Sequence, residues 1–297
     1  MNIEIIHNVK SSRGNKYTLQ QLNSLFKEYT TDFHISVATG ADILDAASHA
    51  KASKPDVIVV CGGDGSVSAV AGELAGTDIK LGILPAGTFN NFARSADIPL
   101  AIQEAVQVIF KGQSRAIDIG KVNGKIFINN SSIGFYPKVV RVREKILIHW
   151  GGSKIVAMAI AFLTLFKRFP ILSVEFEIEG KTIQRKSPFV FIGNNEYEMN
   201  LLNIGSRKSL QGGKLSLYTG KFDSRRSIVH IIIFILLNRL RQNRDFDYHT
   251  ARKIRLETRK KYTHVSLDGE IYEMQTPLFY EIQPKQLQVI MPNKTNE

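Results

Sequence analysis

The sequence predicts an α/β domain built on a mainly parallel sheet, followed by a mainly antiparallel β domain with inserted helices. Three observations predict it. Over roughly the first 115 residues, short apolar runs alternate with stretches of helical spacing, the βαβα rhythm of an open parallel sheet. Residues 57–61, Val-Ile-Val-Val-Cys, are apolar throughout, as a strand buried on both faces must be. After Arg115 the runs turn into alternating strands punctuated by turn residues, which is the antiparallel pattern.

The elements follow in order. Residues 3–6 read as a first strand, 18–29 as a helix and 33–37 as a short strand. Residues 42–51 place Ile43, Ala46, Ala47 and Ala50 at helical spacing. The core strand 57–61 runs into Gly62-Gly63-Asp64-Gly65-Ser66, and 69–75 reads as a helix. Residues 80–84 form another strand, which leads to Pro85-Ala86-Gly87-Thr88-Phe89-Asn90-Asn91 and to helices over 91–96 and 100–110. Both glycine-bearing loops follow strands, so both belong at the carboxyl edge, where such sheets bind ligands. A strand, glycines and a helix start together suit phosphate: glycine admits close backbone approach, and the helix end offers unpaired N–H groups. Asp64 would repel a phosphate, so it must serve a metal ion, a substrate hydroxyl or a backbone N–H.

In the second half, 116–122 and 125–130 flank Asn123-Gly124, a hairpin signature. Two apolar runs, 155–166 and 228–237, fall short of the roughly 20 residues of a membrane span and read as buried or amphipathic helices. Further strands are expected over 172–178, 182–185, 189–194, 214–219, 251–258, 264–267, 277–282 and 288–291, with 294–297 frayed.

Composition narrows the class. With 297 residues, 43% hydrophobic and 22% charged, a sizeable core is available to one large domain or two ordinary ones. The single cysteine, Cys61, excludes an intrachain disulfide, fits a cytoplasmic setting and reads as a packed core thiol. The apolar stretch near the N-terminus is too short for a secretory signal. The net charge of +12 suits an anionic partner. Basic residues gather at Lys138, Arg141, Arg143 and Lys145, at Lys154, Lys167 and Arg168, and from Arg225 to Lys261. They lie beside the apolar runs, which fits peripheral docking on an anionic inner-membrane face better than a nucleic-acid duplex. No recognition helix or RNP-like segment is evident, and nucleic acid is not an expected partner. A solvated basic face is the plainer reading of any single cluster.

At this point the residues carry a resemblance. Gly62-Gly63-Asp64-Gly65-Ser66, then Leu84-Pro85-Ala86-Gly87-Thr88-Phe89-Asn90-Asn91-Phe92-Ala93-Arg94, then Leu267-Asp268-Gly269-Glu270 resemble the diacylglycerol kinase catalytic-domain family, whose soluble lipid kinases show GGDGT, LPxGTxNDFAR and DGE in that order. Residues 129–137, NNSSIGFYP, and 193–197, GNNEY, resemble one bacterial branch. The resemblance implies an α/β nucleotide-binding domain over 1–116 and a β-sandwich lipid-substrate domain over 117–297, its last residues returning to the first. It also implies ATP and Mg²⁺ as cofactors, phosphoryl transfer to a lipid hydroxyl, and an active site in a cleft. The oligomeric state stays open, a homodimer included.

On this reading the backbone of Gly62, Gly63 and Gly65 holds phosphate beside Ser66, Gly87 and Thr88 face it, and Asn90 fixes its loop. The family's NPxSG loop is matched in part by Asn8-Val9-Lys10-Ser11-Ser12, and Thr39 stands where the family contacts nucleotide. Asp64, Asp268 and Glu270 are the candidate catalytic carboxylates, with Glu270 or Asp268 as the proton acceptor, Asp64 as the metal or hydroxyl-orienting partner, and Asp64 and Asp268 as the metal candidates. Asp268 and Glu270 lie two apart, so an extended segment would put both on one face. Each has a plainer alternative: Asp64 capping a helix, Asp268-Gly269 forming a hairpin turn with Glu270 solvated, Asn129-Asn130 and Asn194-Asn195 satisfying buried turns. The chain departs from the family at Asn91, usually Asp, at Ser66, usually Thr, and at Gln211-Gly212-Gly213-Lys214-Leu215-Ser216, where many members bind a structural Mg²⁺ through acids. No second metal site is expected. A NAD-kinase-like enzyme and a nucleotide-binding module without catalysis are the competing readings.

Overall fold

A computed structural model describes residues 1–134, 137, 156, 160, 171–197, 207, 209–220 and 246–293. The proposed apolar helices 155–166 and 228–237, all but Val156 and Ile160, lie outside the described residues. So do the basic residues from Lys138 to Arg168 and from Arg225 to Arg244. Two compact units divide the chain: Met1–Ile119, Gly205–Gly212 and Gln283–Glu297 form one, and Gly120–Ile204 with Gly213–Ile282 the other.

The first unit holds strands β1 (Ile3–Asn8), β2 (Phe33–Ala38), β3 (Val57–Gly62) and β4 (Lys80–Pro85), alternating with helices α1 (Leu19–Lys27), α2 (Ile43–Ala52), α3 (Asp64–Leu74), α4 (Asn91–Ser95) and α5 (Ile102–Lys111). β1 pairs parallel with both β2 and β3, and β3 pairs parallel with β4. Every residue of β3 is buried, which explains its unbroken apolar sequence. The helices bury one stripe each: Leu22 and Phe26 of α1, and Ile102, Ala105, Val106 and Ile109 of α5. Phe26 meets Phe110 edge-on at 5.7 Å, joining α1 to the end of α5. Because the strands are parallel, the loops after β1, β2, β3 and β4 all leave from the same edge.

The second unit is antiparallel. The end of β5 (Gln113–Val122) turns through Asn123 and Gly124, both at positive φ, into β6 (Lys125–Phe127), the expected hairpin. β8 (Leu172–Ile178) pairs with β9 (Lys181–Ser187) and β13 (Lys253–Thr258). A second sheet runs β12 (Phe246–Ala251), β11 (Leu215–Gly220), β10 (Phe189–Asn194), β7 (Asn130–Gly134), β14 (Tyr262–Leu267) and β15 (Glu270–Gln275). Residues of both sheets, among them Phe176, Leu256, Ile133, Val190, Leu217 and Val265, share one core, the expected sandwich packing.

Several element boundaries differ from the sequence reading, among them the strand expected over 125–130, which ends at Phe127 and is followed by a separate β7 in the other sheet. α3 begins at Asp64 rather than beyond Ser66, since the glycine turn itself supplies the first helical turn. The strand expected over 251–258 is β13 from Lys253 on, and its first residue, Ala251, instead ends β12, an unexpected strand of the other sheet, the two separating at Arg252. The strands expected over 277–282 and 288–291 are one, β16 (Leu278–Met291). Gln283-Pro284-Lys285-Gln286 looks like a break in sequence. Lys285 instead takes positive φ, with its N–H donating to the buried Asp118 carboxylate at 3.0 Å, and the strand passes through the irregularity. Before it β16 pairs antiparallel with β13, and after it Val289 pairs parallel with Leu81 of β4. The strand β15 was not expected; its alternation is masked by Glu270 and Glu273.

Candidate active site

Three loops meet at the carboxyl edge of the first unit's sheet. The Ala86 N–H donates to the Gly62 carbonyl at 2.8 Å, and the Arg13 N–H donates to the Ala86 carbonyl at 2.8 Å. Asn8 ends β1 and donates its amide to Ser66 Oγ at 2.8 Å, while its Oδ1 accepts from the Lys10 N–H at 3.0 Å. The strand ends thereby tie the first, second and third loops together through main-chain and buried polar groups. Sequence reading missed two contributors. His7, buried on β1, bonds through Nε2 to the Gly14 carbonyl at 3.0 Å. Gly14 lies so close that a Cβ there would collide with the Asn8 carbonyl oxygen. Gly14 is thus a glycine of this loop, displaced from the position where the NPxSG pattern looks for one.

The two glycine turns pack backbone against backbone. A Cβ on Gly87 would lie 2.5 Å from Gly63 Cα and 2.7 Å from Asn90 Oδ1. Neither glycine has positive φ, so close approach, not conformational freedom, requires them. Asn90 is buried at φ +52, accepts from the Gly87 N–H at 2.9 Å and returns a bond to the Gly87 carbonyl at 3.2 Å. Its amide therefore fixes the second loop, leaving Thr88 exposed at the tip. Gly63 stands at the N-cap of α3 without a side-chain cap, so the first N–H groups of that helix, including those of Gly65 and Ser66, point away from any intrahelical acceptor.

Asp64 lies in the first turn of α3 and does not cap its own helix. Its Oδ1 accepts from the Phe92 N–H at 3.0 Å, at the start of α4. One oxygen therefore locks the two glycine motifs together, and the other makes no hydrogen bond among the described residues. Thr39 sits at the end of the neighbouring strand, its hydroxyl donating to Asp42 Oδ2 at 2.5 Å. Cys61, buried beneath the turn, has its thiol pushed up to about 12 by burial, which makes it an inert packing group.

In the second unit, one end of the six-stranded sheet gathers the remaining candidates. Gly193 pairs with Asn130, Leu267 with both Ser131 and Glu270, and Asn194 with Leu215, so Asn129, Asn130, Asn194, Asn195, Asp268 and Glu270 all emerge there. The expectation that Asp268 and Glu270 share one face of an extended segment is corrected. Asp268 at φ +48 and Gly269 at φ +97 form a two-residue turn joining β14 to β15. The Asp268 carboxylate is occupied: Oδ2 accepts from the Ile128 N–H at 2.8 Å, and Oδ1 from the Asn129 and Asn130 N–H groups at 2.8 and 2.9 Å. Glu270 is exposed, and its Oε2 accepts from the Tyr272 hydroxyl at 2.7 Å. Burial, then the bond to Glu270, then the charges of Glu270 and Asp268 push the Tyr272 phenol up to about 12.

Asn194 satisfies the neighbouring turn, donating from Nδ2 to the Ile128 carbonyl and from its N–H to the Asn129 carbonyl, both at 2.9 Å. Asn195, buried at φ +68, has no amide partner among the described residues.

The fit to Mg²⁺ differs between the two metal candidates. Asp64 offers a carboxylate oxygen beside backbone N–H groups suited to phosphate, the setting in which Mg²⁺ is held by one or two carboxylates, water and substrate phosphates. Asp268 does not fit, because three N–H donors already engage its oxygens. In the segment where the family resemblance leads one to expect acids, Gln211 donates Nε2 to the Ala116 carbonyl at 2.6 Å and Ser216 donates Oγ to the Asn195 carbonyl at 2.6 Å. Among the described residues no three metal-ligating side chains cluster, and no helix is long and apolar enough to cross a membrane.

Comparison with known proteins agrees with this fold. Residues 2–122 match the model of the diacylglycerol kinase catalytic domain. A diacylglycerol kinase of Bacillus subtilis is 28% identical over 99% of this chain and 97% of its own. One from Staphylococcus aureus is 25% identical over 97% of this chain and 92% of its own. A crystal structure from Bacillus anthracis, described as a candidate diacylglycerol kinase, superposes with a TM-score of 0.77 at 25% identity over 98% of this chain and 97% of its own. Residues 2–122 thus match the diacylglycerol kinase catalytic-domain family, and over nearly its whole length the chain is similar to bacterial diacylglycerol kinases.

Proposed function

We propose that the chain transfers the γ-phosphoryl group of ATP to the hydroxyl of a membrane lipid, diacylglycerol or a close relative, acting peripherally at the anionic cytoplasmic face of a membrane. The observation that carries this reading is the backbone contact of Gly63 with Gly87, bridged by Asp64 to the Phe92 N–H. It holds two turns and a helix start side by side, which supports phosphate binding at their free N–H groups. Gly62, Gly63, Gly65 and Ser66 hold the triphosphate through main-chain N–H groups, with Thr88 and Thr39 as hydroxyl donors. Asn8 and Asn90 hold the loops rather than the ligand. Asp64 is the residue that would hold Mg²⁺, which when bound would supply charge neutralisation for the phosphates.

Glu270 is the base. As the acceptor oxygen bonds to the γ-phosphorus and the bond from that phosphorus to ADP breaks, the hydroxyl proton passes to the Glu270 carboxylate. Asp268 shapes the turn that presents Glu270 and the segment 128–130. Asn91 and the acid-free segment 211–216, where the family resemblance leads one to expect acids, favour a slow enzyme or a binding module as the second reading.

Transfer of label from ATP into a total lipid extract tests the reading and names the acceptor. Asp64→Asn and Glu270→Gln are each expected to lower turnover by about a hundred- to ten-thousand-fold with folding intact. Parental rates in both variants would overturn the assignment, and ATP binding without transfer would favour the module. Co-sedimentation with anionic vesicles, absent with neutral ones, tests the membrane assignment.

A further inference from the structure

We propose that Tyr272 is a positioning residue that holds the Glu270 carboxylate in one orientation, with Oε1 left to take the acceptor's proton. The proposal rests on the reading of Glu270 as the base. Glu270 opens β15, and Tyr272 follows two residues later on the same face of the strand. An exposed glutamate on a strand end has several rotamers to choose from. Here one of its oxygens is tied at 2.7 Å to a phenol whose own ring is anchored. The Tyr272 ring packs against the buried core of the second unit, and Lys125 Nζ stands 4.4 Å from its centroid on the other strand of the neighbouring hairpin. Core packing and a cation thus fix the ring, the ring fixes the hydroxyl, and the hydroxyl fixes the carboxylate.

The chemistry of the pair is one-directional. With its phenol pushed up to about 12, Tyr272 stays protonated under any ordinary assay condition and serves only as donor. It cannot compete with Glu270 for the proton. Oε1 makes no hydrogen bond among the described residues. None of the three sequence motifs contains Tyr272, so the pattern of the family gives no reason to expect it.

The test is steady-state transfer of label from ATP into chloroform-soluble product, using vesicles of total bacterial lipid. The parent chain is compared with Tyr272→Phe, Glu270→Gln and the double variant. Tyr272→Phe is expected to lower kcat on the order of tenfold while leaving the half-saturating ATP and vesicle concentrations unchanged, since it removes orientation and not binding. The double variant should be no slower than Glu270→Gln alone, because the two residues act as a unit. A thermal midpoint for Tyr272→Phe within a few degrees of the parent excludes a folding defect. Parental kcat in Tyr272→Phe, with Glu270→Gln inactive, would overturn the positioning role and leave the base in place. Glu270→Gln turning over at the parental rate, or a parent chain that transfers no label, would end the reading of the base and this proposal with it.

Discussion

Gly87 shows how a single hydrogen atom can decide a loop. The residue has an ordinary φ, so an alanine there would adopt the backbone without strain, yet its methyl would sit 2.5 Å from Gly63 Cα. The loop must then move away from the turn that it faces. Gly87→Ala is expected to destabilise the fold by about 1–3 kcal/mol. It should also abolish the rise in thermal midpoint that saturating ATP gives the parent. A variant with an undiminished ATP-induced rise would show that the contact is packing alone. Asp64 separates in the same way. An asparagine keeps an oxygen for the Phe92 N–H and so spares the start of α4, while removing the charge that a metal needs. The glycines and Asp64 were legible because chemistry restricts residue type at those positions. Gly14 and His7 were not, since their roles come from where the chain folds back on Asn8.

At the scale of the element, the turn Asp268-Gly269 carries two roles that the sequence separates poorly. Asp-Gly between alternating strands reads as a hairpin, and DGE in this family reads as chemistry; the residues do the first, and Asp268 adds a third task by holding three consecutive N–H groups. Asp268→Asn leaves one acceptor oxygen and turns an NH₂ toward an N–H donor. The expected cost is about 1–3 kcal/mol, read as a lower urea midpoint. A midpoint equal to the parent's would mean that the carboxylate is not needed to hold segment 128–130. The strand errors have a common cause. Period-two alternation identifies a strand but not its sheet, so 251–258 looked continuous although Ala251 pairs with β11 and residues 255–258 with β8. Conversely, Pro284 and the polar residues around it look like a break, and only Asp118, far away in sequence, supplies the acceptor that carries β16 through it.

For the molecule as a whole, burial gives a pH dependence with a definite sign. The Cys61 thiol is pushed from 9.0 to about 12, and the fully buried Tyr280 phenol is pushed up by desolvation against a smaller lowering from its bond to Ser131. The folded chain keeps protons that the unfolded chain releases, so this stability is complete below about pH 9 and is lost as pH rises toward 12. The urea midpoint should fall steadily from pH 8.5 to 10.5, with a shallower fall in Cys61→Ala. A flat midpoint over that range would mean that these groups titrate normally and are hydrated. By itself the sequence determined the two kinds of sheet, the phosphate-type turns and the residues of the kinase motifs, because periodicity, glycine and charge act locally. Only the tertiary structure decided that Glu270 has a tyrosine holding it, that Asp268 braces a main-chain segment, and that Asp64 ties one glycine motif to the other. The last two are hydrogen bonds between residues 140 and 28 apart, which have no local signature because they exist only once the chain has folded.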